Sequence, residues 1–289
     1  MTVLPISKYE PDGTPANNGR TASGRIETKR LPPVIHIEAA DVGKHYGGNR
    51  GVRALDGISL TVAKGEFVSI LGPSGCGKTT FLRCIAGIEQ PSTGMLKVNG
   101  KVVVRPPDDM GMVFQRDILL DWRTIIDNIL LPIDFRHESR KPYGQRAHEL
   151  LRMFGLADFE RHYPSQLSGG MRQRVAICRA LIADPSLLLM DEPFGALDAM
   201  TRDQLNVELQ RIWTSTHKTV IFVTHSIPEA VFLSDRIEIL SPRPGRLALS
   251  LKVDLPRPRR MAMRHEPEFN HYCSRIRELF EEMGLFQEV

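Results

Sequence analysis

Short apolar runs recur along the chain and are separated by segments with helical periodicity. The runs are EFVSIL, MGMVFQ, SLLLMDE, TVIFVTH and RIEIL. Nearly every position within them is apolar, which is typical of strands buried on both faces of a parallel sheet. Because strands and helices alternate along the chain, the pattern predicts an α/β fold with a mainly parallel sheet.

The pattern before the first of these runs is different. PVIHIEAADV alternates between apolar and polar positions and predicts a strand, and VRALDGISLTVAKGE predicts two strand pieces joined by a turn at Asp56-Gly57. Residues 1–33 are rich in Pro, Gly, Asn, Ser and Thr and have no apolar period. They predict a flexible N-terminal extension.

Helical periodicity is clearest in four places. TTFLRCIAG predicts a helix, and so do residues 171–183. Residues 116–165 look mostly helical, with breaks at Pro132 and Pro142, and predict an inserted helical lobe. FNHYCSRIRELFEEMG predicts an amphipathic helix at the C-terminus, after a Pro/Arg-rich linker at residues 256–260.

The composition is that of a soluble protein, and the net charge is +4. No run of about 18 apolar residues predicts a membrane span, and no signal peptide is evident, so we expect a cytoplasmic location. Much of the basic excess lies in SPRPGR and LPRPRRMAMR. We interpret these arginines as a solvated tail; contact with acidic lipid or an acidic partner is the alternative. Nucleic acid is disfavoured because no aromatic residues are interleaved with them.

The four cysteines lie far apart in the sequence. They predict free thiols in a reducing compartment and no zinc site, because the spacing of metal ligands is absent. Cys76 lies inside a glycine-rich loop, where we interpret it as a small spacer. The alternative is a reactive thiol whose pKa is lowered by Lys78 and the adjacent helix N-terminus.

That glycine-rich loop, GPSGCGKT, matches the phosphate-binding pattern G-x-x-x-x-G-K-[ST] between a predicted strand and a predicted helix. Its glycines let the backbone amides face phosphate oxygens, Lys78 would bridge the β- and γ-phosphates, and Thr79 would bind Mg²⁺. The predicted ATP-binding residues of this segment are Gly72, Pro73, Ser74, Gly75, Cys76, Gly77, Lys78, Thr79 and Thr80.

Polar side chains follow three other predicted strands. Asp191 and Glu192 end SLLLMDE, His225 ends TVIFVTH, and Gln115 ends MGMVFQ. Ligands bind at this carboxyl edge of a parallel sheet. We expect Asp191 to hold Mg²⁺ through water, Glu192 to polarise the attacking water, His225 to contact the γ-phosphate and Gln115 to reach Mg²⁺ or the water. The alternatives are structural: the two acids could cap a loop, Gln115 could be a polar strand-end residue, and a lone histidine is most often structural.

A second amide cluster, LSGGM, stands just before another predicted helix. Ser168, Gly169 and Gly170 would present free amides at that helix N-terminus, as anion sites do. The phosphate loop and the strand-end residues already occupy one side of the γ-phosphate. LSGGM can contact its opposite side only from a second copy of the chain, so the sequence predicts a closed pair with two ATP molecules between the subunits.

The ordered set GPSGCGKTT, Gln115, LSGGM, LLLMDEP, GALD and His225 resembles the ATP-binding subunit of ABC transporters over residues 34–255. The resemblance implies a P-loop NTPase fold: a RecA-like parallel core, an N-terminal antiparallel β subdomain and a helical subdomain at about residues 116–175. Residues 256–289 would then be a linker and a helical tail.

The resemblance also implies roles for single residues and for the cofactors. Tyr46 stands where the family stacks an aromatic ring on adenine, Ser168 and Gly170 would contact the γ-phosphate in trans, and Asp198 lies in the segment that links the two sites. ATP and Mg²⁺ are the implied cofactors. Met171 replaces the family's usual Gln, and its thioether lacks that amide's hydrogen-bonding groups, so we expect no direct nucleotide contact there.

Finer details, LSGGM itself, LLDWRTIIDNI and SPRPGR, are similar to the nitrate, sulfonate and taurine branch of importers. That likeness implies membrane permease subunits, an indirect solute-binding protein and a second ATPase subunit, expected to form a homodimer at the cytoplasmic face of the membrane. Apolar residues of DILLDWRTIIDNILL, notably Trp122, would dock the permease or belong to a helical core. The alternative function is a soluble ATPase of the same type that acts on nucleic acid or ribosomes.

Overall fold

The computed structural model describes residues 33–47 and 51–285, so the extension predicted for residues 1–33 lies outside it except for the last residue. The strands are β1 (Ile35–Tyr46), β2 (Val52–Ala63), β3 (Phe67–Leu71), β4 (Thr93–Val98), β5 (Lys101–Val102), β6 (Met110–Val113), β7 (Leu187–Asp191), β8 (Thr219–Thr224), β9 (Arg236–Leu240) and β10 (Leu247–Lys252). The helices are α1 (Lys78–Ile85), α2 (Ile125–Ile129), α3 (Leu131–Phe135), α4 (Gly144–Met153), α5 (Gly169–Leu181), α6 (Ala199–Thr216), α7 (Ile227–Leu233) and α8 (Pro267–Glu282).

A six-stranded sheet forms the centre, with strand order β10-β9-β3-β8-β7-β6. The five strands from β9 to β6 are parallel, and β10 pairs antiparallel with β9 at the edge. All residues of β3, β7 and β8 are buried, because α1 and the N-terminal strands cover one face of the sheet and α5, α6 and α7 cover the other. The predicted α/β fold with a parallel core is confirmed.

The N-terminal region forms a separate four-stranded antiparallel sheet with the order β2-β1-β4-β5. The turn predicted at Asp56-Gly57 is wrong, because β2 continues through both residues. Gly57 adopts a φ of 70° opposite a register shift in β1, where Asp41 has a φ of 53°. Asp56 and Gly57 therefore belong to a bulge that bends β2 without ending it.

The segment predicted to be mostly helical contains short helices and irregular chain. Residues 116–124 are not helical; the buried Asn128 side chain holds them, accepting from the Leu120 amide at 2.8 Å and donating to the carbonyls of Leu120, Arg123 and Thr124. The break predicted at Pro132 is confirmed: α2 ends at Ile129, and Pro132 lies in the first turn of α3, where no amide donor is needed. The α2, α3 and α4 helices pack on α5.

The interpretation of LPRPRRMAMR as a solvated tail is wrong for two of its arginines. Arg259 is only 3% exposed, and its guanidinium donates to the carbonyls of Val231, Phe232, Ser234, Val253 and Leu255. Arg257 stacks 4.1 Å from the centroid of the Trp213 ring and pairs with Asp235 at 2.8 Å. These side chains fasten the chain before α8 to the end of α7.

We expect Arg259→Met to lower the free energy of unfolding by about 3 kcal/mol or more, because each buried carbonyl left without a partner costs about 1–3 kcal/mol. Burial lowers the pKa of Arg259 to about 10, so the side chain is still charged at neutral pH. Urea unfolding measures the change. Arg275→Met, at an exposed position of α8, is the matched control; equal stability of the two variants would contradict the fastening role.

Three further observations apply to the part of the chain that the structure describes. Within residues 33–47 and 51–285, no helix is long and apolar enough to cross a membrane. All four cysteines are buried and unpaired, as expected for free thiols. The same residues contain no cluster of three or more His, Cys, Asp or Glu side chains that could hold a metal ion.

Candidate functional site

The phosphate-loop segment connects β3 to α1 and lines a cleft of about 450 Å³. Of the nine residues predicted in it, those that line the cleft are Ser74, Gly75, Gly77, Lys78, Thr79 and Thr80, whereas Gly72, Pro73 and Cys76 do not. Its glycines are required by its geometry: Gly75 and Gly77 have φ of 74° and 109°. A Cβ atom on Gly77 would lie 2.7 Å from the Ala54 carbonyl oxygen, and one on Gly72 would lie 2.8 Å from the Cys76 sulfur. The loop can therefore keep this tight path only with glycine at these positions.

Lys78 is the central cation of the cleft. It is 4% exposed, and its Nζ donates to the carbonyls of Gly72 at 3.0 Å and Pro73 at 3.1 Å. Its Nζ also lies 3.5 Å from Glu192 Oε1. The ammonium is thus held at the floor of the cleft, where it can meet the oxygens of a phosphate chain.

Thr79 and Asp191 provide adjacent oxygen atoms next to this ammonium. The Thr79 hydroxyl donates to Asp191 Oδ1 at 2.8 Å. Burial raises the pKa of Asp191, and the Thr79 hydrogen bond opposes that shift. One hydroxyl and one carboxylate fit Mg²⁺, which keeps several waters and shares phosphate oxygens, better than they fit an ion that needs a complete cage of side chains.

Glu192 lies between the side chains of Gln115 and His225. Its Oε2 accepts from Gln115 Nε2 at 3.5 Å and lies 3.3 Å from His225 Nδ1. Glu192 follows β7 with a φ of 43°, and its amide donates to the Val223 carbonyl at 3.0 Å. A strained backbone fixed in this way aims the carboxylate into the cleft. The structure therefore brings together the four residues predicted at the strand ends.

Ser168, Gly169 and Gly170 do not line this cleft. Ser168 caps α5 by accepting from the Met171 amide at 3.3 Å, and the helix begins at Gly169, two residues earlier than predicted. The free amides of its first turn thus belong to the two glycines. Within one chain, the second amide cluster and the phosphate loop therefore lie on separate surfaces.

Asp198 lies beside this cluster and not in the cleft. It caps α6 by accepting from the Thr201 amide at 3.0 Å. A Cβ atom on Gly170 would lie 2.7 Å from the Thr201 methyl carbon, so the start of α5 packs closely on the start of α6. The structure therefore joins Asp198 to the second amide cluster through Thr201.

Tyr46 lies at the other edge of the cleft, 37% exposed, with Lys44 Nζ 5.1 Å from the centroid of its ring. Cys76 is fully buried, and burial raises the pKa of its thiol. The alternative of a reactive, low-pKa cysteine is therefore wrong. Its surroundings agree with the interpretation of Cys76 as a small spacer.

Arg243, for which the sequence predicts no role in binding, also lines the cleft. The prediction that SPRPGR belongs to a solvated tail is wrong for this loop, which packs on β2: the Gly245 amide donates to the Ala54 carbonyl at 2.9 Å. The Asp56 amide donates back to the Gly245 carbonyl at 3.0 Å. The only sequence signal was the pair of rigid prolines that flank an arginine, and it carries no information about where the loop packs.

The chain is similar to several known proteins. The sequence pattern of the family described as ABC transporter matches residues 55–195. An uncharacterized ABC transporter ATP-binding protein of Methanocaldococcus jannaschii is 48% identical over 247 residues, which cover 86% of this chain and 91% of that protein. The taurine import ATP-binding protein TauB of Rhizobium johnstonii is 46% identical over 226 residues, which cover 78% and 86% respectively.

A solved structure is similar as well. The ATP-binding cassette MJ0796, in a dimeric post-hydrolysis state bound to ADP and Pi, matches with a TM-score of 0.68 and 34% identity. The match covers 76% of this chain and 100% of that one.

Proposed function

The chain belongs to the ABC transporter family as an ATP-hydrolysing subunit, and from this premise we propose that it powers import of a small anion of the sulfonate type through membrane permease subunits. The observation that carries the proposal is the convergence of Lys78, the Thr79–Asp191 pair and the Glu192 group in one cleft. The similarity to taurine import proteins supports the class of solute. Residues 34–255 are proposed as the ATPase domain.

In the proposed mechanism, ATP lies in the cleft with its phosphates on the loop of residues 72–80. Lys78 binds the β- and γ-phosphates, and Tyr46 stacks on the adenine. Thr79, Asp191 through water, and Gln115 would hold Mg²⁺, which supplies charge neutralisation on the phosphates. If these side chains were only helix caps or polar strand-end residues, nothing would explain why they converge in one cleft.

Hydrolysis is proposed to depend on the carboxylate of Glu192. Water attacks the γ-phosphorus, the bond to the β–γ bridging oxygen breaks, and Glu192 accepts the proton of the water. His225 and Gln115, both within about 3.5 Å of Glu192 Oε2, orient the carboxylate. His225 also contacts the γ-phosphate, and Gln115 reaches Mg²⁺ or the attacking water. The products are ADP and phosphate.

The second subunit is proposed to complete the site with Ser168, Gly169 and Gly170, while Asp198 couples the two sites. The absence of residues 168–170 from their own chain's cleft supports this arrangement. The dimeric state of the similar cassette also supports it. Closure would follow from γ-phosphate contacts that exist only in the paired state, so ATP favours one of two conformations.

We expect Ser168→Ala to lower the ATP hydrolysis rate about tenfold or more, because one hydroxyl contact to the γ-phosphate is lost in the closed pair. ATP binding by a single subunit should be unchanged, and titration calorimetry measures it. Thr124→Ala removes the side-chain cap of α2 and controls for lost capping. Loss of ATP binding by the isolated subunit would contradict a contact in trans.

An apolar surface on the helical region is proposed to dock a cytoplasmic helix of the permease. Trp122 is 75% exposed and Phe135 is 74% exposed, whereas Ile125 and Ile129 are buried. Trp122 is therefore not core, although its neighbours in α2 are. The exposure of two large rings on the lobe that follows Gln115 supports the proposal, because rings of this kind are available to a partner helix. This docking would place the subunit at the cytoplasmic face of the membrane.

The test is copurification from native membranes. We expect tagged Glu192→Gln protein, extracted with ATP present, to copurify with a multi-span permease, and the Trp122→Ala form to lose that partner. The permease and its binding protein would identify the solute. Nucleic acid, ribosomes or a soluble partner without a permease would contradict the transport proposal and favour the alternative function.

A nucleic-acid or chromosome ATPase of this type is disfavoured by the helices. Such enzymes usually carry a long coiled coil, whereas the longest helix among the described residues is α6, with 18 residues. Stimulation of ATP hydrolysis by membranes that contain the permease, and not by DNA or ribosomes, would separate the two functions.

A further inference from the structure

Arg243 lies in the nucleotide cleft but has no part in the roles given above. It belongs to the loop of residues 241–246, which connects β9 to β10. Its side chain lines the cleft together with Ser74 and Gly75. A Cβ atom on Gly75 would lie 3.4 Å from Arg243 Nη2, so the guanidinium stands next to the backbone of the phosphate loop.

The backbone of this loop is fixed on both sides. The Gly245 amide and carbonyl bond to β2 at Ala54 and Asp56, with distances of 2.9 Å and 3.0 Å. A Cβ atom on Gly245 would lie 2.2 Å from the Cys76 carbonyl oxygen, so the loop and the phosphate loop are in direct contact. Arg246 closes the loop by donating to Asp56 Oδ2 at 2.7 Å. Arg243 is thus held in place by rigid neighbours.

The charges around the cleft show that Arg243 differs from the other cations near it. Lys78 faces Glu192 at 3.5 Å, and Arg246 is paired with Asp56. Within the part of the chain that the structure describes, the guanidinium of Arg243 makes no hydrogen bond or ion pair, and it is exposed to the cleft. An unpaired guanidinium beside a phosphate cradle is suited to a phosphate oxygen, because its planar donors match that geometry.

We propose that Arg243 binds the phosphate chain of the nucleotide held by its own subunit. Adenine is the less suitable target, because it carries no negative charge and the apolar side of the cleft is formed by Tyr46, Val52 and Ala54. Gly75 leaves the path to the phosphates open, since it has no side chain. The inference rests on the proposed ATP site and adds a binding residue to it.

The test is calorimetric titration of ATP with Mg²⁺ into variants that carry Glu192→Gln, which prevents turnover. We expect Arg243→Ala to raise the Kd for ATP about tenfold, as loss of a charge-assisted hydrogen bond does. Arg243→Gln should do the same, and Arg243→Lys should restore part of the affinity. The dependence of the Kd on salt should become weaker in Arg243→Ala, because one cation no longer contacts the phosphates.

Arg105→Ala is the matched control, since it removes an exposed arginine outside the cleft, and its Kd for ATP should be unchanged. If Arg105→Ala weakened binding as much as Arg243→Ala, the loss of one positive charge at any surface position would explain the effect, and the inference would be overturned. Unchanged affinity of Arg243→Ala would overturn it as well. If the parent protein itself bound no ATP, the proposed site would fail, and this outcome is distinct from the other two.

Discussion

Glu192→Gln is expected to lower the rate of ATP hydrolysis about a hundredfold or more, because an amide cannot accept the proton of the attacking water. ATP binding should be retained, since the carboxamide keeps the size of the side chain and removes a negative charge beside the γ-phosphate. Phosphate release measures the rate, and calorimetry measures the affinity. The geometry that carries this expectation is the position of Glu192 Oε2, 3.5 Å from Gln115 Nε2 and 3.3 Å from His225 Nδ1.

The matched control is Glu149→Gln, at an exposed position of α4 away from the cleft. It should hydrolyse ATP at the unaltered rate. Normal turnover by Glu192→Gln would show that another group takes the proton, and the role proposed for Glu192 would be wrong.

Lys78→Ala is expected to raise the Kd for ATP about a hundredfold or more, because several charge-assisted hydrogen bonds to the phosphates are lost together. Removal of the ammonium also takes away the cation that lies 3.5 Å from Glu192 Oε1, so the negative charge of Glu192 repels the γ-phosphate more strongly. Both effects act in the same direction. Titration calorimetry with ATP and Mg²⁺ measures the loss.

Because Lys78 is buried, its replacement needs a check of the fold. Thermal unfolding of Lys78→Ala should give a transition as cooperative as that of the unmodified protein. Lys101→Ala, at an exposed position of β5, controls for the loss of one positive charge. A folded Lys78→Ala protein with unaltered ATP affinity would contradict the role of this lysine.

The sequence predicted most of the cleft because its residues follow strands of one parallel sheet. The carboxyl ends of such strands lie at one edge, so the spacing of apolar runs already implied that Gln115, Glu192 and His225 would be neighbours. The phosphate loop could also be predicted from the sequence, because its local backbone geometry requires its glycines. Gly75 and Gly77 have the positive φ values that only glycine adopts easily.

Other features could not be predicted, because tertiary contacts determine them. Arg243 and Arg259 belong to similar Pro/Arg-rich strings, yet Arg243 is exposed in the cleft and Arg259 is buried among carbonyls. No local pattern separates the two environments. Asp56-Gly57 predicts a turn because this dipeptide is common in hairpins, but a glycine with positive φ also occurs in a bulge within a strand.

Two subunits are proposed to close around ATP, with residues 168–170 of each facing the phosphate loop of the other. The most direct test is the mass in solution of Glu192→Gln, measured by light scattering with Mg²⁺ and either ATP or ADP. We predict a monomer with ADP, a dimer of twice that mass with ATP, and a monomer again when Ser168→Ala is added. A monomeric mass for Glu192→Gln at saturating ATP would contradict the account.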